Sequence, residues 1–162
     1  MDDDDNTVPG GVSVFESCST LAAAERTIAV TRGVRRLLAG LGLASVAEVA
    51  LANGRRADVL AIDAAGSVII VEVKVSVADL RGDRKWPDYE PYCDRLFFAV
   101  PPGFPDHLVP SRPGLIVADA YEGAVLRDAP TLPLPAARRK AMLLRFALAA
   151  AQRLYRLEDP MA

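Results

Sequence analysis

The sequence predicts an α/β or α+β fold in which helices pack on one sheet. Two observations lead to this prediction. A long segment with helical spacing of apolar residues precedes three hydrophobic, strand-like runs, and a second long helical segment closes the chain. The third run, Val68 to Val75, is apolar on both faces except at its far end, which is typical of a central strand in a covered sheet. With 162 residues, 51% of them hydrophobic, the chain is long enough for a single core.

The first half of the chain is predicted to form one helix and three consecutive strands. The helix spans Leu21 to Leu41 and ends in a segment that contains glycines. Asn53-Gly54 is a strong hairpin-turn signal between the first two strands, and a second turn lies within Asp63 to Ser67. The three strands cover residues 45–52, 56–63 and 68–75.

The second half is predicted to mix helices and strands. Ser76 can cap a short helix that runs to about Arg84, and Pro87 begins another helical turn over residues 88–93. The remaining predicted elements are a strand over 94–100, a proline-rich loop over 101–113, two weaker edge strands over 114–118 and 124–127, and a closing helix over 135–157.

The chain is predicted to be one domain over residues 20–158, preceded by a poorly ordered acidic tail over residues 1–19. The run from Asp2 to Asp5 dominates the charge, because removing these four acids changes the formal net charge from −2 to +2. A mildly basic body is compatible with nucleic-acid binding.

No membrane anchor or secretion signal is predicted. No run approaches the ~18 apolar residues of a membrane span, and the chain opens with acids rather than with basic residues before an apolar core. Cys18 and Cys93 are far apart and match no metal-ligand spacing, so we interpret them as reduced thiols. These features predict a cytoplasmic protein that does not bind membranes.

Three charged residues interrupt the second and third strands, which otherwise consist of core residues. Because side chains alternate between the faces of a strand, Glu72 and Lys74 share one face of the third strand. A turn centred on Ala65 places Asp58 directly opposite Glu72, with Cβ atoms about 4.5–5.5 Å apart. Like charges at that distance destabilise a sheet, and burying them is costly unless something pairs with them.

A hard divalent cation between the two carboxylates resolves this conflict. Mg²⁺ prefers oxygen ligands and is commonly held by one or two carboxylates together with substrate phosphates, and the Val73 carbonyl can add a third oxygen. Lys74 can then orient or deprotonate a water and offset charge at phosphorus. Asp58, Glu72 and Lys74 are therefore predicted to be catalytic, with Mg²⁺ or Mn²⁺ held by Asp58, Glu72 and Val73.

Glu48 is a candidate third acid for the metal, supplied by the first strand. A two-residue turn at Asn53-Gly54 puts Val49 opposite Asp58 and turns Glu48 away, whereas a longer turn brings Glu48 to the site. The sequence leaves both geometries open.

Asp58 followed by Glu72-Val73-Lys74 resembles the signature of the PD-(D/E)XK nucleases. The proline of that signature is absent, because Ala57 stands in its place, but only the acid of the pair is a metal ligand. Three longer segments resemble the MmcB-type DNA repair proteins, which are bacterial proteins classed with the PD-(D/E)XK endonucleases. They are Leu51 to Ile62, Asp83 to Tyr89 and Tyr92 to Pro102.

This resemblance runs from about Val30 to Leu154. It implies an α/β fold with a restriction-endonuclease-like mixed sheet and helices packed on both faces. It also implies a divalent metal cofactor, a DNA substrate and a place at the bacterial nucleoid.

Five further residues are candidate DNA contacts, each with an alternative. Arg55 and Arg56 can bind phosphate or can neutralise the nearby acids. Arg84 and Lys85 can bind phosphate or lie on a solvated helix face. Tyr89 can stack on a base, as can Trp86 and Tyr92 three residues to either side, and such stacking is worth ~1–3 kcal/mol per base. Aromatic residues at spacings of three more often pack in a core. The basic residues of the closing helix can follow DNA phosphates, but the preferred assignment is to its solvated face: Arg138, Arg139, Lys140 and Arg145.

The leading interpretation is a metal-dependent DNA nuclease, an endonuclease that hydrolyses phosphodiester bonds in DNA repair. One alternative is a non-catalytic DNA-binding scaffold on a nuclease fold, and another is a structural module whose charges form ion pairs. Branched or damaged DNA is the expected partner. The edge strands near Ala124 can mediate a homodimer, or a contact with another repair protein.

Overall fold

The structure, a computed structural model, describes residues 14–161. Two short 3-10 segments, Trp86–Tyr92 and Asp106–Leu108, flank the fourth strand. None of the helices in the described part of the chain has both the length and the apolar character needed to cross a membrane. The helices and strands are α1 (Val14–Gly40), β1 (Ala44–Ala50), β2 (Arg56–Ile62), β3 (Val68–Val73), α2 (Val77–Gly82), β4 (Arg95–Val100), β5 (Gly114–Ala118), β6 (Gly123–Arg127) and α3 (Ala136–Glu158).

One six-stranded mixed sheet runs through the middle of the molecule, in the order β1-β2-β3-β4-β5-β6. The first three strands form an antiparallel meander, β3, β4 and β5 are parallel, and β6 returns antiparallel to β5. Every residue of β3 is buried. This is expected of a strand that has a neighbour on each side and helices above and below.

Helices cover both faces of this sheet. On one face α1 packs into a core cluster in which Val34 meets Val71. On the other face α3 packs into a second cluster, which contains Met142 and Ile70. The predicted fold class is therefore confirmed: an α/β architecture with a restriction-endonuclease-like mixed sheet and helices on both faces.

The first helix is longer than predicted. It begins at Val14 rather than at Leu21, because the chain has neither glycine nor proline between Gly11 and Gly33 to stop a helix. Residues 1–13, with the acidic run, lie outside the described residues, so the predicted tail stays a prediction there.

A buried carboxylate ties α3 to the start of β3 and β4. Asp94 accepts hydrogen bonds from the amides of Val68 (2.7 Å) and Leu134 (2.8 Å), and from two guanidinium nitrogens of Arg139 (2.7 Å each). Burial alone would raise the pKa of Asp94, but Arg139 and the two amides hold that pKa below its usual value. The assignment of Arg139 to the solvated face of the last helix is therefore wrong, since its guanidinium binds this carboxylate.

Candidate active site

The β2–β3 hairpin brings Asp58 and Glu72 together. The paired residues of the two strands keep one register throughout, which places Asp58 opposite Glu72 one step beyond the ladder. Each carboxylate binds the backbone of the other strand. The Asp58 amide donates to Glu72 Oε1 (3.3 Å), and the Val73 amide donates to Asp58 Oδ2 (2.7 Å). These bonds hold both side chains in place and leave Asp58 Oδ1 without a hydrogen-bond donor among the described residues.

Both acids of the hairpin are disfavoured in their charged forms. Glu72 is only 2% exposed. Burial raises its pKa to about 8, with a further contribution from the charge of Asp58, against the opposing effect of Lys74. Burial also raises the pKa of Asp58, although the hydrogen bond from Val73 and the charge of Lys74 oppose the rise. A bound cation would reverse this penalty for both groups.

We expect the stability of the metal-free protein to fall as the pH rises through the titration of Glu72. Its pKa is about 8 in the folded protein against a usual value of 4.5. The folded state therefore binds the proton more tightly, and the free energy of unfolding decreases from about pH 4.5 to about pH 8. Glu72→Gln removes this dependence and should be more stable than the wild type at about pH 8 by roughly 4 kcal/mol.

Thermal unfolding in EDTA over this pH range measures the effect. The control is Glu158→Gln, an exposed acid at the end of α3. If the stabilities of the wild type and Glu72→Gln change with pH in the same way, the titration of Glu72 is not the source of the pH dependence.

Lys74 lies immediately after β3, on the same side as Glu72, and is 7% exposed. Its Nζ atom is 2.9 Å from Asp83 Oδ2 and 3.9 Å from Glu72 Oε2. Burial disfavours the charged amine, but the hydrogen bond and charge of Asp83, together with the charge of Glu72, outweigh it and raise the pKa of Lys74. The lysine is therefore held as a cation beside both hairpin acids.

Asp83 is a site residue that the sequence interpretation missed, because the segment after the third strand is predicted only as a short helix, with Arg84 and Lys85 as its candidate DNA contacts. Ser76 accepts a hydrogen bond from the Asp79 amide (3.1 Å) and so begins α2 directly after the strand. This short helix turns Asp83 back toward Lys74. The sequence signal that could have identified Asp83 is its distance from Ser76. A six-residue helix capped by Ser76 ends directly before Asp83.

The observed turn between β1 and β2 is longer than two residues. Ala50 pairs with Arg56, so five residues form the turn, and the β1–β2 register places Glu48 opposite Asp58. Glu48 has a φ of 53°, in the left-handed region that non-glycine residues rarely adopt. Its carboxylate forms an ion pair with Arg56, and its charge contributes to the raised pKa of Asp58.

The predicted DNA contacts differ in whether their side chains are paired, exposed or buried. Arg55 and Arg56 are paired with acids: Arg55 Nη2 lies 2.7 Å from Asp88 Oδ2, and Arg56 pairs with Glu48. Arg84 and Lys85 are exposed and have no ion-pair partner among the described residues.

Tyr89 is 7% exposed and belongs to the core cluster on the α3 side of the sheet. Its hydroxyl donates to the Arg56 carbonyl (3.2 Å). This burial corrects the prediction of Tyr89 as a DNA contact, because a ring packed in the core offers no face to a base.

Asp58, Glu72, Lys74 and Asp83 line one open cleft of about 780 Å³, where β2 begins and β3 ends. Across the described residues, no three Asp, Glu, His or Cys side chains are grouped to hold a metal. A cation here would therefore be bound by the two hairpin carboxylates with backbone, water or substrate oxygens, the usual manner for Mg²⁺. The cleft wall beyond the acids is basic, with Arg55, Arg56 and Lys85.

The fold and this cleft define a class: α/β proteins with a restriction-endonuclease-like sheet and an acidic pair beside a lysine at the strand ends. The sequence model of the MmcB-like family, described as DNA repair protein MmcB-like, matches residues 16–161. The chain therefore belongs to the MmcB-like family of DNA repair proteins.

A solved structure is also similar to this chain. It is described as SPO1766, a protein of unknown function from Silicibacter pomeroyi, and has 42% sequence identity and a TM-score of 0.80. The match covers 85% of this chain and 92% of that one. A search of curated proteins finds no match.

Proposed function

We propose that this protein is a metal-dependent DNA nuclease of the PD-(D/E)XK superfamily, which hydrolyses phosphodiester bonds in DNA repair. The observation that carries the proposal is the opposed pair of Asp58 and Glu72, with the buried Lys74 beside them, in an open cleft. Membership of a DNA repair family supports DNA as the substrate.

The donor set of the hairpin fits Mg²⁺ or Mn²⁺. Asp58 Oδ1 has no protein donor among the described residues, and the Glu72 carboxylate is buried with a raised pKa. A carboxylate pair of this kind suits a hard cation that takes oxygen ligands. Asp58, Glu72 and the Val73 carbonyl would hold the metal, and Glu48 could join only by releasing Arg56.

The bound metal would polarise a phosphate oxygen and lower the pKa of a water. Lys74 would stabilise the negative charge that develops at phosphorus, since a preorganised cation in a partly desolvated cleft is effective there. Asp83 would hold the ammonium in position. Arg84 and Lys85 would bind neighbouring phosphates of the DNA strand.

The proposal is tested by incubating the purified protein with nicked, flapped, branched and single-stranded DNA in the presence of Mn²⁺. We expect cleavage of at least one substrate, and loss of cleavage with EDTA and in Asp58→Ala. Asp106→Ala, which removes an exposed acid from a distant 3-10 segment, is the matched control. Cleavage that persists unchanged in Asp58→Ala would exclude this site as its source.

We also expect Asp83→Asn to slow cleavage by about tenfold, less than the loss of the lysine itself. The amide keeps the shape of Asp83 but removes the charge that holds the Lys74 ammonium 2.9 Å away. Single-turnover cleavage rates provide the measurement. Asp106→Asn, at an exposed acid of a distant 3-10 segment, is the control. Equal rates for the two variants would contradict a role of Asp83 in positioning Lys74.

A second candidate function is a DNA-binding scaffold without turnover. The observation that favours it is the internal pairing of the site, in which Lys74 lies nearer Asp83 than Glu72 and Glu48 is bound to Arg56. This function predicts binding that weakens steeply with salt, and no metal-dependent cleavage of any DNA in the panel.

A further inference from the structure

A second cleft adjoins the candidate active site. It has a volume of about 720 Å³ and shares Gly54 and Arg55 with the first cleft. Its other walls include Asn53, Tyr92 and Arg138, so it lies between the β1–β2 turn and the beginning of α3. A DNA strand that runs from the acidic pair toward the β1–β2 turn would therefore enter the second cleft.

The second cleft contains a layered pair of side chains. The Arg138 guanidinium carbon lies over the ring of Tyr92, 4.6 Å from its centroid. Arg138 Nη1 also donates to the Pro91 carbonyl (3.2 Å), which fixes the guanidinium on the ring. Both residues are half-buried. Both side chains line the cleft, so the pair offers it a guanidinium group held over an aromatic ring.

The charges of this cleft favour an anionic ligand near Arg138. Asp88, the acid of the cleft, is bound by Arg55 Nε (3.2 Å) and Nη2 (2.7 Å). Arg138 has no carboxylate partner within the described residues. Among the described residues, this cleft therefore offers Arg138 as a cation that no carboxylate neutralises.

We propose that this cleft binds an unpaired nucleotide adjacent to the cleaved bond, with its base stacked on the Arg138–Tyr92 layer. This deepens the proposed function and rests on it for the identity of the polymer. Bases expose their faces only where a strand is single, and aromatic and guanidinium planes bind such faces without sequence preference. The protein should therefore favour DNA with a single-stranded segment beside the cutting point.

Binding rather than cleavage tests this subsite. We would measure the affinity of the full chain, in EDTA at low salt, for a fluorescent single-stranded oligonucleotide and for a duplex hairpin of matched length. Tyr92→Leu and Arg138→Gln should weaken single-strand binding by about tenfold and duplex binding far less. Tyr92→Phe, which keeps the ring, should bind like the wild type.

Two further variants separate stacking from simple charge. Arg138→Lys keeps the charge but loses the plane, so it should bind the single strand nearly as weakly as Arg138→Gln. Lys140→Gln removes an exposed cation from the same helix and should change both affinities only slightly. Circular dichroism and thermal unfolding of each variant show whether it is folded.

Three outcomes would overturn the subsite: wild-type affinity in Arg138→Lys, equal losses on single strand and duplex, or no single-strand binding by the wild type. These outcomes are distinct from failure of the nuclease proposal. A protein that binds through the cleft but never cuts DNA keeps the subsite and loses the nuclease. A protein that cuts, with affinities unaffected by Tyr92 and Arg138 variants, keeps the nuclease and loses the subsite.

Discussion

Lys74→Met should lower the rate of metal-dependent DNA cleavage by about a thousandfold. The side chain is 7% exposed and lies beside both Glu72 and Asp83. Methionine keeps the unbranched apolar stem and its packing but removes the charge that would stabilise the transition state. Rates under single-turnover conditions, at saturating Mn²⁺ on the best substrate of the panel, measure this loss.

The same substitution at an exposed lysine shows whether the loss of any positive charge slows cleavage. Lys140→Met removes an exposed cation from α3 and should cleave at nearly the wild-type rate. A Lys74→Met protein that is folded, binds DNA and cuts at the wild-type rate would remove Lys74 from the catalytic set.

Asp94→Asn should destabilise the protein by about 3 kcal/mol, which corresponds to a fall in Tm of about 6–12 °C for a domain of this size. Asp94 is 3% exposed and accepts four hydrogen bonds from Val68, Leu134 and Arg139. Asparagine turns an amide donor toward the guanidinium and leaves Arg139 without its charge partner. Removing one member of a buried pair has a cost of this order.

The pH dependence of this contribution has a defined sign. Because the pKa of Asp94 is lower in the folded protein than its usual value of 3.8, the contribution is fully present above that value. It is lost as the pH falls through the folded-state pKa. The wild type should thus approach the stability of Asp94→Asn in strong acid.

Asp128→Asn is the matched control, since Asp128 pairs with Arg95 on the surface and its side chain is 76% exposed. It should cost less than about 1 kcal/mol. Chemical denaturation of the three proteins gives the comparison, and similar losses for the two variants would contradict the structural role assigned to Asp94.

The hairpin was predictable because its signals are local. The apolar pattern of β3 and the glycine turn before it fix which residues share a face and which oppose each other. The opposition of Asp58 and Glu72 follows from these features alone, and the observed register agrees with it. Whether these residues bind a metal stays a prediction.

The rest of the site depends on contacts between segments that sequence patterns do not connect. Glu48 lies opposite Asp58 because the turn has five residues, and its φ of 53° departs from strand geometry. Asp83 reaches Lys74 because a short capped helix reverses the chain. Arg139 meets Asp94 across 45 residues of chain. Polar residues at helical spacing predict a solvated face, and nothing in the sequence reveals the buried acid that turns one of them inward.

The most direct measurement is anomalous scattering from crystals of the wild-type protein soaked in Mn²⁺. We expect an anomalous peak within coordination distance of both Asp58 and Glu72, and no such peak in crystals of Asp58→Asn soaked in the same way. Wild-type crystals with no anomalous peak at the two carboxylates would contradict the proposal that this hairpin is a metal-dependent catalytic site.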